Sequence, residues 1–248
     1  MKTDWFELRE ARLHLAPYSH PHFPIACAST ITPFGMMAAG RHGLGVLSIG
    51  AGLPGGPEAM AKQWAIYEEE AAKHGKPADR GQWRIVVNAH LAEDDEQALR
   101  EVHDGERRET VTYFEDTLGR PPGRSDDPLR EGVAQGTTLV GNPDTVARGI
   151  ERLLGYSQGG FGGVLFRAHE WANREATLRS YELFARYVMP RLQGSLDTLV
   201  GSNTWSRENR KAVFGPTVAA VKKAFTDTGR EVPEEFRART VGARDVAD

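Results

Sequence analysis

The chain has 248 residues, of which 40% are hydrophobic and 26% charged, with 31 basic against 34 acidic side chains and a net charge of −3. This balance is typical of a soluble globular protein, and the absence of a basic block with interleaved aromatic residues argues against a nucleic-acid partner. The single cysteine, Cys27, excludes an internal disulfide framework. No window approaches about 18 consecutive apolar residues, so no membrane partner is expected. Residues 1–16 lack the apolar core of a signal peptide, and we expect a cytoplasmic, reducing environment.

Strand and helix signals alternate along the chain. Apolar strands are predicted at residues 23–28, 45–49, 83–91 and 163–167, and helices at residues 33–42, 58–73, 94–117, 142–155, 173–188 and 206–227. Residues 119–136, rich in Pro, Gly and Asp, are predicted to be flexible. Apolar strands that alternate with helices indicate an α/β fold with a parallel, helix-covered sheet. A closed (β/α)₈ barrel needs eight such units, usually in about 250 residues. Only four strands are predicted here, which indicates an open sheet or half of a barrel.

The first strand leads into a polar turn that is a candidate anion site. Ser29, Thr30 and Thr32 precede Pro33 at a predicted helix start. We expect Thr32 to be the N-cap and Pro33 the first helical residue, because these residue types suit those positions. A helix that begins there directs unpaired N–H groups and its positive dipole end beyond the strand. The alternative is an ordinary strand–helix junction.

A glycine-rich turn follows the second strand. Residues 50–55, GAGLPG, match the GxGxxG spacing of a dinucleotide-binding loop. Two features weaken this match. Pro54 lies within the loop, and the sequence lacks the acidic residue that the dinucleotide fingerprint requires at the end of a strand about 20 residues later. A glycine turn that lines a pocket and a purely structural turn remain as alternatives.

Three further polar residues are candidates for a substrate pocket. Asn88 and His90 share a face of the third strand, and His169 directly follows the fourth strand. Residues beyond the carboxyl ends of barrel strands are often functional; the alternative for each is packing or capping. His20 and His22 are spaced like metal ligands but have no carboxylate or thiol nearby, so no metal site is predicted.

Three stretches of the chain resemble the luciferase-like flavin monooxygenases, and within them the limonene 1,2-monooxygenase-like group. They read DWFELREARLHLAPYSHPHFPIACASTITPFGMMAAGRHGLGVLS, GTTLVGNPDTVARGIERLL and GGFGGVLFRAHEWANREATLRSYELFARYVMP. The resemblance implies a TIM-type barrel that binds reduced flavin, FMN or alternatively the deazaflavin F420. Such enzymes use reduced flavin and O₂ to oxidise a small organic substrate, here expected to be apolar and monoterpene-like, with a flavin reductase as a further expected partner.

The resemblance also implies roles for individual residues. The flavin phosphate is expected at Thr32 and Gly35, with Ser29 and Thr30 beside them. The turn at Gly50 and Gly52 is expected near the flavin ring system. Ile31 stands close to the position of an acidic residue in the family's phosphate turn, so the contact pattern differs in detail. No catalytic side chain is assigned.

The resemblance covers only the carboxyl-terminal half of the family's barrel. We therefore expect residues 1–228 to form that half and residues 229–248 to form a disordered charged tail. A half-barrel exposes two sheet edges and an apolar inner face, which predicts a homo-oligomer or pairing with a separate amino-terminal half. Two alternative functions remain: an inactive fragment or interaction module, and a nicotinamide-dependent reductase that uses residues 50–55.

Overall fold

The computed structural model describes residues 1–12, 14–20, 22–121 and 125–237 of the chain. They divide into two compact units, Met1–Val188 and the part from Met189 onward. The first unit contains a parallel sheet and the helices that pack on it, and the second contains only helices among its described residues.

The elements of the first unit alternate between strand and helix. They are β1 (Ala26–Ser29), α1 (Phe34–His42), β2 (Gly45–Ser48), a 3₁₀ turn (Gly50–Gly52), α2 (Gly56–Lys73), a 3₁₀ turn (Arg80–Gln82), β3 (Trp83–Leu91), α3 (Asp95–Arg108), a π-helical segment (Glu109–Thr117), α4 (Pro128–Gln135), β4 (Thr138–Gly141), α5 (Pro143–Ser157), β5 (Gly163–Phe166), α6 (Arg174–Leu183) and a second π-helical segment (Phe184–Val188). The second unit holds α7 (Met189–Leu192), α8 (Asp197–Glu208), α9 (Arg210–Asp227) and α10 (Glu234–Arg237).

Every strand pairing in the described sheet is parallel. β1 pairs with β2, β2 with β3, and β3 with both β4 and β5. Within the part of the chain that the structure describes, β1 pairs only with β2 and β5 only with β3, so the sheet has open edges and does not close. The predicted α/β fold is confirmed: the sheet is a partial barrel of parallel strands covered by helices.

The core lies between the sheet and its helices. Trp83 of β3 stacks on Trp64 of α2 at 4.8 Å between ring centroids, and Trp64 stacks on Tyr67 at 4.6 Å. The indole N–H of Trp83 donates to the Ser48 hydroxyl at 2.8 Å, so the polar edge of this buried ring is satisfied. On the opposite face of the sheet, Leu165 is 42% exposed. One face of the sheet therefore anchors the core and the other remains open.

Helix caps account for several helix starts. The side chains of Asp94, Asn142 and Asn173 each accept a backbone N–H three residues further on, as their positions predict. At the start of α3, the Gln97 N–H donates to Asp94 Oδ1 at 2.7 Å, and the side-chain amide of Gln97 donates to Glu101 Oε1 at 2.9 Å.

Several predicted boundaries were wrong. β4, a strand of four residues, was missed, and the segment predicted to be flexible, residues 119–136, contains α4. Residues 122–124 of that segment lie outside the described residues. α8 was missed, and the last long helix begins at Arg210. Within the predicted tail, Glu234–Arg237 form α10, and 238–248 lie outside the described residues. The domain boundary at residue 228 stays a prediction.

Candidate functional site

The first part of the site is the turn that follows β1. Ser29 is buried, and its hydroxyl lies 3.4 Å from the carbonyl oxygen of Thr30. Thr30 and Thr32 are exposed, and neither hydroxyl forms a hydrogen bond to another described residue. The turn therefore presents two free hydroxyls, while the third predicted hydroxyl, that of Ser29, faces the protein.

Helix α1 begins one residue later than predicted. Pro33 is its N-cap and Phe34 its first residue, so the predicted N-cap role of Thr32 is wrong. No side chain among the described residues caps this helix. Its first-turn N–H groups consequently keep the unpaired donors that favour an anion.

Two glycines allow close backbone contacts around the turn. A Cβ at Gly35 would lie 2.8 Å from the carbonyl oxygen of Ala28, so glycine is what lets α1 approach β1 so closely. A Cβ at Gly50 would lie 3.0 Å from the carbonyl carbon of Thr30. Gly50 and Thr30 are therefore neighbours, as the predicted site requires, and both glycines also have a packing role.

Gly52 occupies a more open position. A Cβ there would meet only the carbonyl oxygens of Thr137 at 3.7 Å and Val86 at 3.9 Å. Gly50–Gly52 form a 3₁₀ turn between β2 and α2, closed by the Leu53 N–H donating to the Gly50 carbonyl at 2.9 Å. The glycine-rich segment is thus a compact turn beside the carboxyl half of β3.

The second part of the site is a chain of contacts at the carboxyl ends of β3 and β5. The guanidinium of Arg167 donates through Nε to Asn88 Oδ1 at 2.6 Å. It also donates through Nη1 and Nη2 to the two carboxylate oxygens of Glu109, at 2.6 and 3.0 Å. The indole N–H of Trp171 donates to the same carboxylate, and the ring of His169 stacks on Trp171 at 4.2 Å. A strand, a loop and a π-helical segment are joined by these bonds.

Electrostatics set the charge states in this cluster. Burial raises the pKa of Glu109, but the hydrogen bonds from Arg167 and Trp171 outweigh that effect and the pKa is lowered overall. Burial lowers the pKa of His169, and only part of this is offset by the hydrogen bond with the Ala89 carbonyl oxygen, 3.2 Å from Nε2. That carbonyl can only accept, so Nε2 carries the proton. Nδ1 is then a buried acceptor without a hydrogen-bond partner among the described residues.

A cavity of about 430 Å³ lies beside this cluster. The residues that line it come from the end of α3, the first π-helical segment and the loop after β5: Gly105, Arg108, Glu109, Thr112, Tyr113, Ala168, His169, Glu170 and Trp171. Of the three predicted pocket residues, His169 lines this cavity. Its walls combine aromatic rings with hydroxyls and charged groups.

Asn88 and His90 are held by protein partners. Asn88 positions Arg167, as described above. His90 is only 1% exposed, and its Nε2 lies 2.8 Å from Glu101 Oε2 of α3. That Asn88 and His90 line a substrate pocket stays a prediction; in the structure Asn88 accepts a hydrogen bond from Arg167, and His90 contacts Glu101.

Sequence reasoning missed Glu109, Arg167 and Gln63. Glu109 fell in the middle of a predicted helix and Arg167 at the end of a predicted strand, and their contact spans 58 residues. The Gln63 amide donates to the Ile31 carbonyl at 2.5 Å across 32 residues. No local pattern marks such pairs.

Two features are absent from the described residues, a metal-binding cluster and a membrane-spanning helix. Within the described ranges, no group of three or more His, Cys, Asp or Glu side chains could hold a metal ion. No helix in the described part of the chain is both long enough and apolar enough to cross a lipid bilayer.

Comparisons with known proteins identify the family. The sequence model described as "Luciferase-like monooxygenase" matches residues 2–161, more than half of the chain. This chain belongs to the luciferase-like monooxygenase family. It is 40% identical over 216 residues to 4-hydroxyprotoasukamycin monooxygenase of Streptomyces nodosus subsp. asukaensis, covering 85% of this chain and 58% of the relative. It is 38% identical over 214 residues to limonene 1,2-monooxygenase of Rhodococcus erythropolis, covering 85% of this chain and 54% of the relative.

Solved structures agree with this assignment. Monooxygenase RslO1 from Streptomyces bottropensis aligns with a TM-score of 0.59 and 25% identity, over 71% of this chain and 50% of that one. The oxygenating constituent of 3,6-diketocamphane monooxygenase from Pseudomonas putida, solved in complex with FMN, aligns with a TM-score of 0.51 and 26% identity. That alignment covers 66% of this chain and 47% of the other. The family member described here thus spans little more than half the length of the curated relatives and about half that of these structures.

Proposed function

We propose that this chain contributes the flavin-phosphate side of a monooxygenase that uses reduced FMN and O₂ to oxidise a small apolar organic substrate. The observation that carries the proposal is the turn after β1, where an uncapped helix start and the free hydroxyls of Thr30 and Thr32 face outward together. Helix N–H groups and hydroxyls are the donors that hold a phosphate. F420, which is also phosphorylated, remains the alternative cofactor.

The residues of the turn fit a phosphorylated flavin. Thr32 and the first-turn N–H groups of α1, at Phe34 and Gly35, would hold the phosphate, with Thr30 beside them. The turn at Gly50 and Gly52 is proposed to lie beside the flavin ring system; a Cβ at Gly52 would make only ordinary van der Waals contact, with the carbonyl oxygens of Thr137 and Val86. When bound, reduced flavin supplies the electrons for the activation of O₂.

The substrate is proposed to enter the cavity beside His169. The rings of His169 and Trp171 offer apolar surface to a small organic molecule, and the lowered pKa keeps His169 neutral at pH 7. The ion pair between Arg167 and Glu109 fixes the walls, because it joins the loop after β5 to the segment after α3. The two rings would hold the apolar part of the substrate, beside the hydroxyls and charged groups of the same walls.

The open face of the sheet is a candidate surface for association with other protein. Leu165 on that face is 42% exposed, and the outer edges of β1 and β5 have no strand partner within the described residues. Unpaired edges and apolar faces favour association. We propose that further protein surface covers this face in the active assembly, from a second copy of the chain or from a polypeptide that supplies more strands, with a flavin reductase as a transient partner. The free thiol of Cys27 suits a cytoplasmic location.

The decisive experiment titrates the purified protein with FMN, F420 and riboflavin while flavin fluorescence is followed. We expect FMN to bind more tightly than riboflavin, because only FMN carries the phosphate. Thr32→Val should weaken FMN binding about tenfold, since a hydrogen bond to a charged group contributes about 1.5 kcal/mol or more. Thr217→Val, at another exposed threonine on α9, is the control and should bind like the unchanged protein.

Turnover requires a second assay. Oxygen uptake is measured with enzymatically reduced FMN and a set of monoterpenes, and light scattering after size-exclusion chromatography reports the assembly state. A protein that folds but binds FMN no better than riboflavin would remove the basis of this proposal.

A further inference from the structure

One side chain from outside the turn holds its backbone in place. Gln63 lies in α2, and its Nε2 donates to the carbonyl oxygen of Ile31 at 2.5 Å. Ile31 is the residue between the two free hydroxyls of the turn, Thr30 and Thr32. Its own side chain is 47% exposed, so apolar packing restrains it only in part. The hydrogen bond from Gln63 is therefore a main tertiary restraint on the centre of the turn.

The orientation of the Gln63 amide follows from this contact. The Ile31 carbonyl can only accept a hydrogen bond, so Nε2 must face it and Oε1 must face away. Oε1 is buried and has no hydrogen-bond partner in the described part of the chain. Gln63 also borders a cavity of about 10 Å³ that Thr30, Ile31 and Gly50 line, close to the size that holds one water molecule. Gln63 thus meets the turn both through a hydrogen bond and through a shared polar cavity.

Two other contacts fix the flanks of the turn but not its centre. The N–H of Ile49 donates to the Ser29 carbonyl at 2.8 Å, continuing the ladder between β1 and β2. Gly50 packs against the backbone of Thr30. Beyond Thr30, the hydrogen bond that reaches the turn from another element, among the described residues, is the one from Gln63.

We infer that Gln63 is a positioning residue for the phosphate-binding turn: it fixes the Ile31 carbonyl and thereby aims the donors on either side of it. This inference rests on the proposed function, and it adds a residue that touches neither the phosphate nor the flavin ring. Because it acts on the turn alone, its removal weakens binding of the phosphorylated flavin and leaves binding of riboflavin unchanged.

The test uses two variants and a neighbouring control. Gln63→Met keeps the length of the side chain and removes both amide groups, and Gln63→Glu keeps the shape but replaces the donor by an acceptor. Lys62→Met changes the adjacent exposed position. Two quantities are measured for each protein: hydrogen–deuterium exchange of peptides that cover residues 29–36, and dissociation constants for FMN and for riboflavin.

We expect both Gln63 variants to exchange faster in residues 29–36 and at the normal rate in β3. Their FMN affinity should fall about tenfold, the effect of disturbing one charge-assisted hydrogen bond, with riboflavin affinity unchanged. Lys62→Met should match the unchanged protein in both measurements.

The contrary outcomes separate the two proposals. Normal exchange in residues 29–36, or an equal loss of FMN and riboflavin affinity, would overturn the role of Gln63 while leaving the phosphate turn intact. If the unchanged protein itself shows no preference for FMN over riboflavin, the proposed function fails, and with it the cofactor role of Gln63. The exchange data would then still report whether Gln63 restrains the turn.

Discussion

The two glycines after β2 provide a matched pair for testing how the turn is built. Neither Gly50 nor Gly52 has a positive φ, so the backbone at both positions accepts alanine. Only the surrounding space differs. The new Cβ would lie 3.0 Å from the Thr30 carbonyl carbon at position 50, but no closer than 3.7 Å to the Thr137 oxygen at position 52. The same chemical change is therefore crowded at one position and accommodated at the other.

These distances set the expected free energies of unfolding. Replacing glycine by alanine at a compatible position stabilises by about 0.4–1 kcal/mol, because the unfolded chain loses freedom. Overpacking costs about 1–3 kcal/mol. Gly52→Ala should therefore raise the free energy of unfolding by about 0.5 kcal/mol. Gly50→Ala should lower it by about 1 kcal/mol, because the backbone of Thr30 must yield.

Urea denaturation of both variants measures this difference, and flavin titration measures its functional consequence. Gly50→Ala displaces Thr30, so it should weaken FMN binding more than riboflavin binding. Gly52→Ala lies on the ring side and should weaken both ligands equally. A Gly50→Ala protein at least as stable as Gly52→Ala would refute the close packing of Gly50 on the turn.

Three other substitutions test the cluster and the core. Glu109→Gln should cost about 1–2 kcal/mol at pH 7, because Arg167 loses its charged partner. Because folding lowers the pKa of Glu109, this stabilisation is complete above the pKa of the unfolded chain and is lost as the pH falls through the pKa of the folded protein. The urea midpoints of the variant and the unchanged protein should therefore converge below about pH 4. Burial lowers the pKa of His169, so the folded protein favours the neutral ring and loses stability as the pH falls below about 6.5. In His169→Gln the free energy of unfolding should therefore fall less on acidification. An unchanged pH profile would contradict its buried, neutral state. Ser48→Ala should lower the free energy of unfolding by about 1–3 kcal/mol, because the buried Trp83 N–H loses its acceptor. Thermal unfolding measures this loss, and a smaller loss would argue against the hydrogen bond.

Local sequence patterns were sufficient wherever the deciding contact is itself local. β3 spans the predicted residues, Trp83–Leu91, and its first seven residues alternate between buried and half-buried positions, the two-residue period of a strand. The caps at Asp94 and Asn142 were predictable because each joins a side chain to a backbone N–H three residues away. β4 was missed although β1, β2 and β5 are equally short, because it follows a segment rich in Pro, Gly and Asp, a composition that predicts a loop.

The candidate site depended on contacts that no local pattern encodes. The sequence by itself determined that hydroxyls follow β1 and that a glycine turn follows β2, and its resemblance to a family assigned them a flavin. The tertiary structure alone decided that Ser29 turns inward, that α1 starts without a cap, and that Gln63 reaches the turn from α2. It also joined Glu109 to Arg167 across 58 residues. The physical reason is that hydrogen bonds within a turn depend on residue spacing, whereas bonds between elements depend on how helices pack on the sheet.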